Sequence, residues 1–246
     1  MSHADAPHAD AYAGYARWKG WEGAFDVPQR EARYFSAEFS GLPLAGKRVL
    51  EIGFGNGRFM AWARTQGADV SGLEINPDML AAATQHGYAV RNATLAELVG
   101  EREHYDLIVA FDVLEHWDTD ELIANFHHVA ARLVADGAFV ARFPNGHSPF
   151  GRVYQHGDFT HKSVISAFKI DYLAGLSGLD VARIANVRRV SSKPGVLRAL
   201  RHRWMALRRA WIERSISRLY GTERLPLDPN LVAVLRKPAV GAREAG

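Results

Sequence analysis

With 246 residues and 48% apolar side chains, the chain has the material for one α/β domain with additions, or a domain and a small lobe, around a sizeable core. It contains no cysteine, which excludes disulfides, a thiolate nucleophile and zinc–thiolate sites and suits the cytosol. Net charge is only +3, but eight Lys/Arg against one acid, Glu213, lie between Lys193 and Arg218, so the remainder is net negative and the basicity belongs to one segment.

Met1–Ala11 reads as disordered and lacks the basic-then-apolar plan of a signal peptide. No apolar run approaches the length of a membrane span. Aromatic residues then crowd the chain: Tyr12, Tyr15, Trp18, Trp21, Phe25, Tyr34, Phe35 and Phe39. At roughly helical spacing these are core packing or, because they precede the first strand, a cap. The expectation is a tail and helical cap over 1–40, with Trp18 and Trp21 facing the ligand pocket. Gly41-Leu42-Pro43 breaks the chain before the sheet.

Arg48–Ile52 is the first strand, Arg58–Thr65 the first helix and Asp69–Leu73 the second strand. Asn76-Pro77 supplies an N-cap and an N1 proline for a helix over Pro77–Gln85. Tyr88–Arg91 is a short third strand. Asp106–Phe111 is the fourth, continuous and apolar as a strand buried on both faces must be. After Asp118 a helix carries Leu122, Phe126, Val129 and Leu133 on one stripe and ends near Asp136-Gly137. Ala138–Phe143 is the fifth strand, Ser163–Leu176 a helix, Asp180–Val190 a strand and Asn230–Arg236 the last strand. Such alternation predicts an α/β fold with a doubly wound, Rossmann-like sheet, its core over 41–190 and its last strand and tail over 230–246.

Between the first strand and the first helix stands Glu51-Ile52-Gly53-Phe54-Gly55-Asn56-Gly57. A dinucleotide fingerprint would want glycine at 58, where arginine stands. Three glycines let backbone approach a ligand and take φ > 0. Glu74 ends the second strand, where a doubly wound sheet holds ribose hydroxyls; the plain alternative is a solvated strand end.

This acidic-x-G-x-G-x-G run resembles motif I of the class I S-adenosylmethionine (SAM) methyltransferases. The stretch Tyr105–Trp117 is similar to their small-molecule branch, whose fourth strand ends in a D-x-L-E-H run, here Asp112 to His116. The resemblance spans about residues 30–182 and the last strand. It implies a seven-stranded sheet whose final strand enters antiparallel, and SAM as the cofactor. It places Glu51, Gly53, Gly55 and Gly57 at the methionine end and Glu74 at the ribose. Ile75 falls against adenine, and Asn92 and Ala93 beside its amino group, where the family usually has an acid. The Phe111 carbonyl and Asp112 face the SAM amino group. Asp112 and Glu115 also read as helix N-terminal charge, and His116 as either catalytic or packed under the cofactor.

The polar loop after the fifth strand, Arg142–Gly151 and Gln155–Lys162, holds His147, His156, His161 and Asp158. It suits a hydroxyl-rich acceptor. Its P-N-G…D-x-T-H pattern resembles methyltransferases encoded with bacterial surface-polysaccharide genes, which implies a sugar. The histidine spacing is not the helical pairing of a zinc site, and no metal is expected. Methyl transfer is an in-line displacement governed by alignment, and a hydroxyl acceptor benefits from a general base. That base is expected to be His161, steadied by Asp158, with His116 and His147 as alternatives; His161 also reads as a cap of the following helix.

Residues 191–229 form an insertion before the last strand. In it Leu197, Leu200, Trp204, Leu207 and Trp211 recur at helical spacing among arginines. Such a helix can lie on an anionic membrane, pack its stripe on the body or grip nucleic acid. The expectation is peripheral contact through 196–219 with the inner membrane face, beside a small-molecule or lipid-linked acceptor. Nucleic acid is disfavoured, because the chain has neither an N-P-P-[YF] motif nor a catalytic cysteine. The expected function is SAM-dependent methyl transfer to a hydroxyl of such an acceptor, for example a sugar of a surface polysaccharide. Quinone or other metabolite methylation is the alternative; an RNA-binding or non-catalytic SAM-binding module is an alternative of another class.

Overall fold

Seven strands form one sheet in the order β3-β2-β1-β4-β5-β7-β6. The strands are β1 (Arg48–Ile52), β2 (Asp69–Leu73), β3 (Ala89–Arg91), β4 (Tyr105–Phe111), β5 (Leu133–Pro144), β6 (Asp180–Asn186) and β7 (Asn230–Arg236). The first five run parallel, and β7 lies antiparallel between β5 and β6. The helices are α1 (Gln29–Glu38), α2 (Arg58–Thr65), α3 (Pro77–Gln85), α4 (Thr119–Arg132), α5 (Arg152–His156), α6 (Ala167–Ser177) and α7 (Val196–Tyr220). The computed structural model describes residues 19–21, 23–98, 104–190, 195–221 and 226–239. Met1–Ala11, Tyr12, Tyr15 and Trp18 lie outside the described residues.

Alternation along the central strands feeds two cores. Leu50, Ile108, Phe139 and Phe143 face α4 and α6, where Phe126, Val129, Ile170 and Leu173 meet them. Val49, Leu107, Val109 and Val140 face the other way, onto Phe35 of α1, Phe39 at its C-cap, and Phe59, Met60 and Trp62 of α2. Phe126 and Phe139 are fully buried and meet edge to face, ring centroids 5.7 Å apart. With apolar material on both faces, the strands' polar C-terminal ends are the place left for a site.

Several boundaries differ from the sequence expectation, each for a local reason. Helix α4 opens on the Asp118–Glu121 capping box but stops at Arg132, and Leu133 already pairs with Tyr105 of β4. Asp136, at φ 61°, therefore sits inside β5 beside a register shift and does not end a helix. Helix α6 starts at Ala167, capped by Ser166, because the Lys162 and Ser163 amides donate to the Glu115 carbonyl and hold that stretch extended. Strand β6 ends at Asn186, since the Arg188 amide leaves the sheet for the Glu38 carboxylate. The polar loop contains the short helix α5, capped at its C-terminus by Gly157.

Candidate functional site

The C-terminal ends of β1, β2, β4 and β5 open into one cleft of about 2080 Å³. That exceeds the roughly 300–1,000 Å³ typical of a single small-molecule pocket, so the space suits two ligands side by side.

One end is built on the glycine turn. Gly53, Gly55 and Gly57 have φ of 62°, 52° and 69°. A Cβ on Gly53 would stand 2.8 Å from Val113, and one on Gly57 2.1 Å from the Phe25 ring. The turn is therefore closed to side chains both by conformation and by space. Glu74 clamps it: its Oε2 accepts from the Gly55 amide at 2.8 Å, and its Oε1 from the Ile75 and Asn76 amides at 2.8 and 3.0 Å. Glu51 is buried on the cleft wall. Its Oε2 has no hydrogen-bond partner among the described residues. Burial pushes its carboxyl well above the usual range, a backbone hydrogen bond from Met60 opposes this, and the Glu74 charge adds to the rise. An orphaned buried carboxyl of this kind fits a ligand that brings its own cation.

Asp112 takes φ of 56° and presents its carboxylate to the Arg142 guanidinium, Nε to Oδ1 at 3.1 Å, with the second contact between Nη2 and Oδ2. The guanidinium carbon lies 4.9 Å from the Phe111 ring centroid and 5.8 Å from that of Tyr34. The negative charge expected of Asp112 thus comes with a counter-ion on the neighbouring strand. Ile75 and Ala93 line the cleft; Asn92 is exposed and does not, and Gly57 is turned under Phe25. Trp21 lies over Gly55 on the cleft wall, in a stretch that is not helical; among the described residues the expected helical cap is helical only over α1.

The other end is a histidine cluster. The paired donation of Lys162 and Ser163 to the Glu115 carbonyl pins residues 158–163 onto the turn Leu114–His116. His116 Nδ1 then meets the Thr160 carbonyl at 3.2 Å and the Thr160 hydroxyl at 2.9 Å, and that hydroxyl donates to Asp158 Oδ1 at 2.5 Å. Both of the His116 Nδ1 partners act as acceptors, so Nδ1 carries the hydrogen and Nε2 the lone pair. Burial, then the charge of His161, pushes His116 down to about 4. His161 packs edge-on to His116 at 4.8 Å, with Nε2 3.6 Å from Asp158 Oδ2 and 3.9 Å from Glu115 Oε1. Lys19 reaches Asp158 Oδ2 at 3.0 Å.

His116 lines the cleft; His161 lies behind it, off the wall. His147 packs edge-on against Phe168 and is also off the wall. The polar loop has a second role that its composition does not disclose. The Asn145 side chain donates to the carbonyls of Pro226 and Asp228, and the Ser148 hydroxyl to that of Leu227. These groups fasten the chain returning from α7. His147, His156 and His161 do not converge, but Glu115, His116 and His161 bring ligand atoms within 4.8 Å of one another, a trio that could hold a metal ion. Three residues of the site were not singled out from sequence: Arg142, Thr160 and Lys19. Only Arg142, a lone cation inside an apolar strand, carries a signal that could have found it.

A family model for the methyltransferase domain matches residues 26–183. The chain belongs to the SAM-dependent class I methyltransferases. Among curated relatives, this methyltransferase is 31% identical over 153 residues to the ubiquinone biosynthesis O-methyltransferase of Klebsiella pneumoniae, covering 57% of this chain and 60% of that one. It is 34% identical over 84 residues to the protein of the same name from Marinobacter nauticus, covering 30% and 35% of the two chains. It therefore spans only part of the length of the curated relatives it matches. A solved SAM-dependent methyltransferase from Archaeoglobus fulgidus superposes with a TM-score of 0.60 at 18% identity, over 85% of this chain and 95% of that one, a likeness of fold.

Proposed function

We propose that this methyltransferase is an O-methyltransferase that binds SAM at the glycine-turn end of the cleft and a hydroxyl-bearing acceptor at the histidine end. What carries the reading is the co-location of the two ends: an orphaned buried Glu51 and a Glu74-clamped glycine turn on one side, a histidine of defined tautomer on the other. Glu51 would hold the amino group of the methionine moiety, Glu74 the ribose, and Ile75 and Ala93 the adenine. When bound, SAM supplies an electrophilic methyl on a good leaving group.

The chain's own residues then have three tasks. Trp21, lying over the glycine turn, keeps water from that end of the cleft. His116 accepts the hydroxyl proton on Nε2 while Thr160, whose hydroxyl is held by Asp158, accepts from its Nδ1–H, and the nearby Asp158 charge stabilises the imidazolium as it forms. The paired Asp112–Arg142 keeps the wall between the two ends electrically neutral.

A base held near 4 is better matched to a phenolic or enolic hydroxyl than to an alcohol. That favours an aromatic hydroxyl on a small acceptor; the curated relatives are named ubiquinone biosynthesis O-methyltransferases. A sugar hydroxyl is the second reading, supported by Asn125, His128 and His202 on the cleft wall. Incubation with SAM and a panel of catechols and sugars, followed by release of S-adenosylhomocysteine, tests both. The first reading requires release with catechols; release with sugars alone selects the second, and release with neither while SAM binds defeats the hydroxyl-acceptor proposal.

A further inference from the structure

Helix α7 is inside out for a helix packed in water. Its two buried residues, Glu213 and Ser217, are polar. Five of its large apolar residues face away from the body: Leu197, Leu200, Trp204, Leu207 and Trp211 are 83, 57, 58, 71 and 68% exposed. At about 100° per residue these five fall within an arc of roughly 80°, on the side opposite Glu213. Arg201 and Arg208 run along one flank of that arc, and Arg203 and Arg214 along the other. The helix's one acid does not offset them. The Glu213 carboxylate accepts from Asn186 Nδ2 at 2.7 Å and from the Leu227 amide at 3.0 Å, on the body side.

We propose that α7 is a membrane-docking helix that lies in the plane of an anionic lipid surface. An apolar stripe bracketed by cations, with no negative charge on the outward face, matches an acyl boundary flanked by lipid phosphates. The other occupants fit less well. Pairing with the same face of a second copy would set arginine flank against arginine flank with no acid to compensate. A nucleic acid would engage the arginines but leave five large apolar side chains in water at the centre of the contact. Among the described residues no helix is long and apolar enough to cross a membrane, so the contact is peripheral. His202 of α7 lines the cleft from the side of the helix opposite the stripe, so docking through the stripe leaves that wall of the cleft in place. The docking does not depend on the chemistry assigned to the cleft and is read without turnover.

The test is flotation of the full chain with vesicles of phosphatidylcholine alone and with about 30 mol% phosphatidylglycerol added. The full chain should float with the anionic vesicles and not with the neutral ones, and about 0.5 M salt should weaken the association. Two double variants, Trp204→Ser with Trp211→Ser and Arg201→Glu with Arg208→Glu, change exposed side chains and should keep the wild-type melting curve. Each should lower partitioning roughly tenfold or more. Absence of flotation with anionic vesicles overturns the proposal. So does binding that neither variant weakens, or a stripe whose variants abolish only dimerisation or RNA binding.

Discussion

His116 Nδ1 lies 3.2 Å from the main-chain carbonyl oxygen of Thr160, a residue 44 positions away. A carbonyl can only accept, so this contact fixes which ring nitrogen is protonated and leaves Nε2 with the lone pair. Replacing His116 with Gln should cut turnover about 10²–10⁴-fold while leaving SAM affinity within a fewfold of wild type. Single-turnover assays beside calorimetry check this; equal losses in both would make His116 a binding residue.

Burial holds His116 at about 4 against an ordinary 6.5, with the His161 charge second, so it stays neutral through the physiological range. The rate should be flat between about pH 6 and 8 and should fall only as the base protonates near 4. Stability follows the same sign. The unfolded chain takes up the proton first, so His116 costs stability as pH falls from about 6.5 to about 4. The melting temperature of wild type should drop more steeply over that window than that of His116→Gln, which differential scanning fluorimetry measures.

Glu51 runs the other way. Its folded carboxyl titrates well above the ordinary range, chiefly through burial, so it penalises the native state once pH rises past the unfolded value. Glu51→Gln should therefore raise thermal stability at neutral pH, by about 1–2 kcal/mol, and weaken SAM binding. A variant that is neither more stable nor weaker in binding would contradict the role given to that orphaned oxygen.

Gly57 at φ 69° faces the Phe25 ring, 2.1 Å from where a Cβ would sit. Gly57→Ala should cost about 2 kcal/mol or more, combining left-handed strain with the clash. In a Phe25→Ala background the clash disappears and only about 1–2 kcal/mol of strain should remain. Urea denaturation of the four proteins in this cycle measures the coupling.

What could be read from the chain is what repeats locally. The alternation Val49-Leu50 and Leu107-Ile108-Val109-Ala110 announces strands facing two cores, and Asp118 with Glu121 announces a helix start. The glycine run and Glu74 mark the nucleoside end because the turn chemistry is contiguous. The histidine end was legible only as composition. Thr160 reaches His116 across 44 residues, Arg142 reaches Asp112 across 30, and Asn145 reaches Asp228 across 83, and no periodicity encodes those pairings. Helix α7 makes the same point: spacing shows that Leu197 to Trp211 form one stripe, but only the placement of Glu213 shows that the stripe faces outward.

The most direct measurement is calorimetric titration of S-adenosylhomocysteine into wild type and Glu74→Ala. Wild type should bind one equivalent, and loss of the carboxylate that clamps the glycine turn should weaken binding at least about tenfold, or 1.4 kcal/mol. No heat with the wild-type chain, or identical affinity in the two proteins, would contradict a nucleoside site at the ends of β1 and β2.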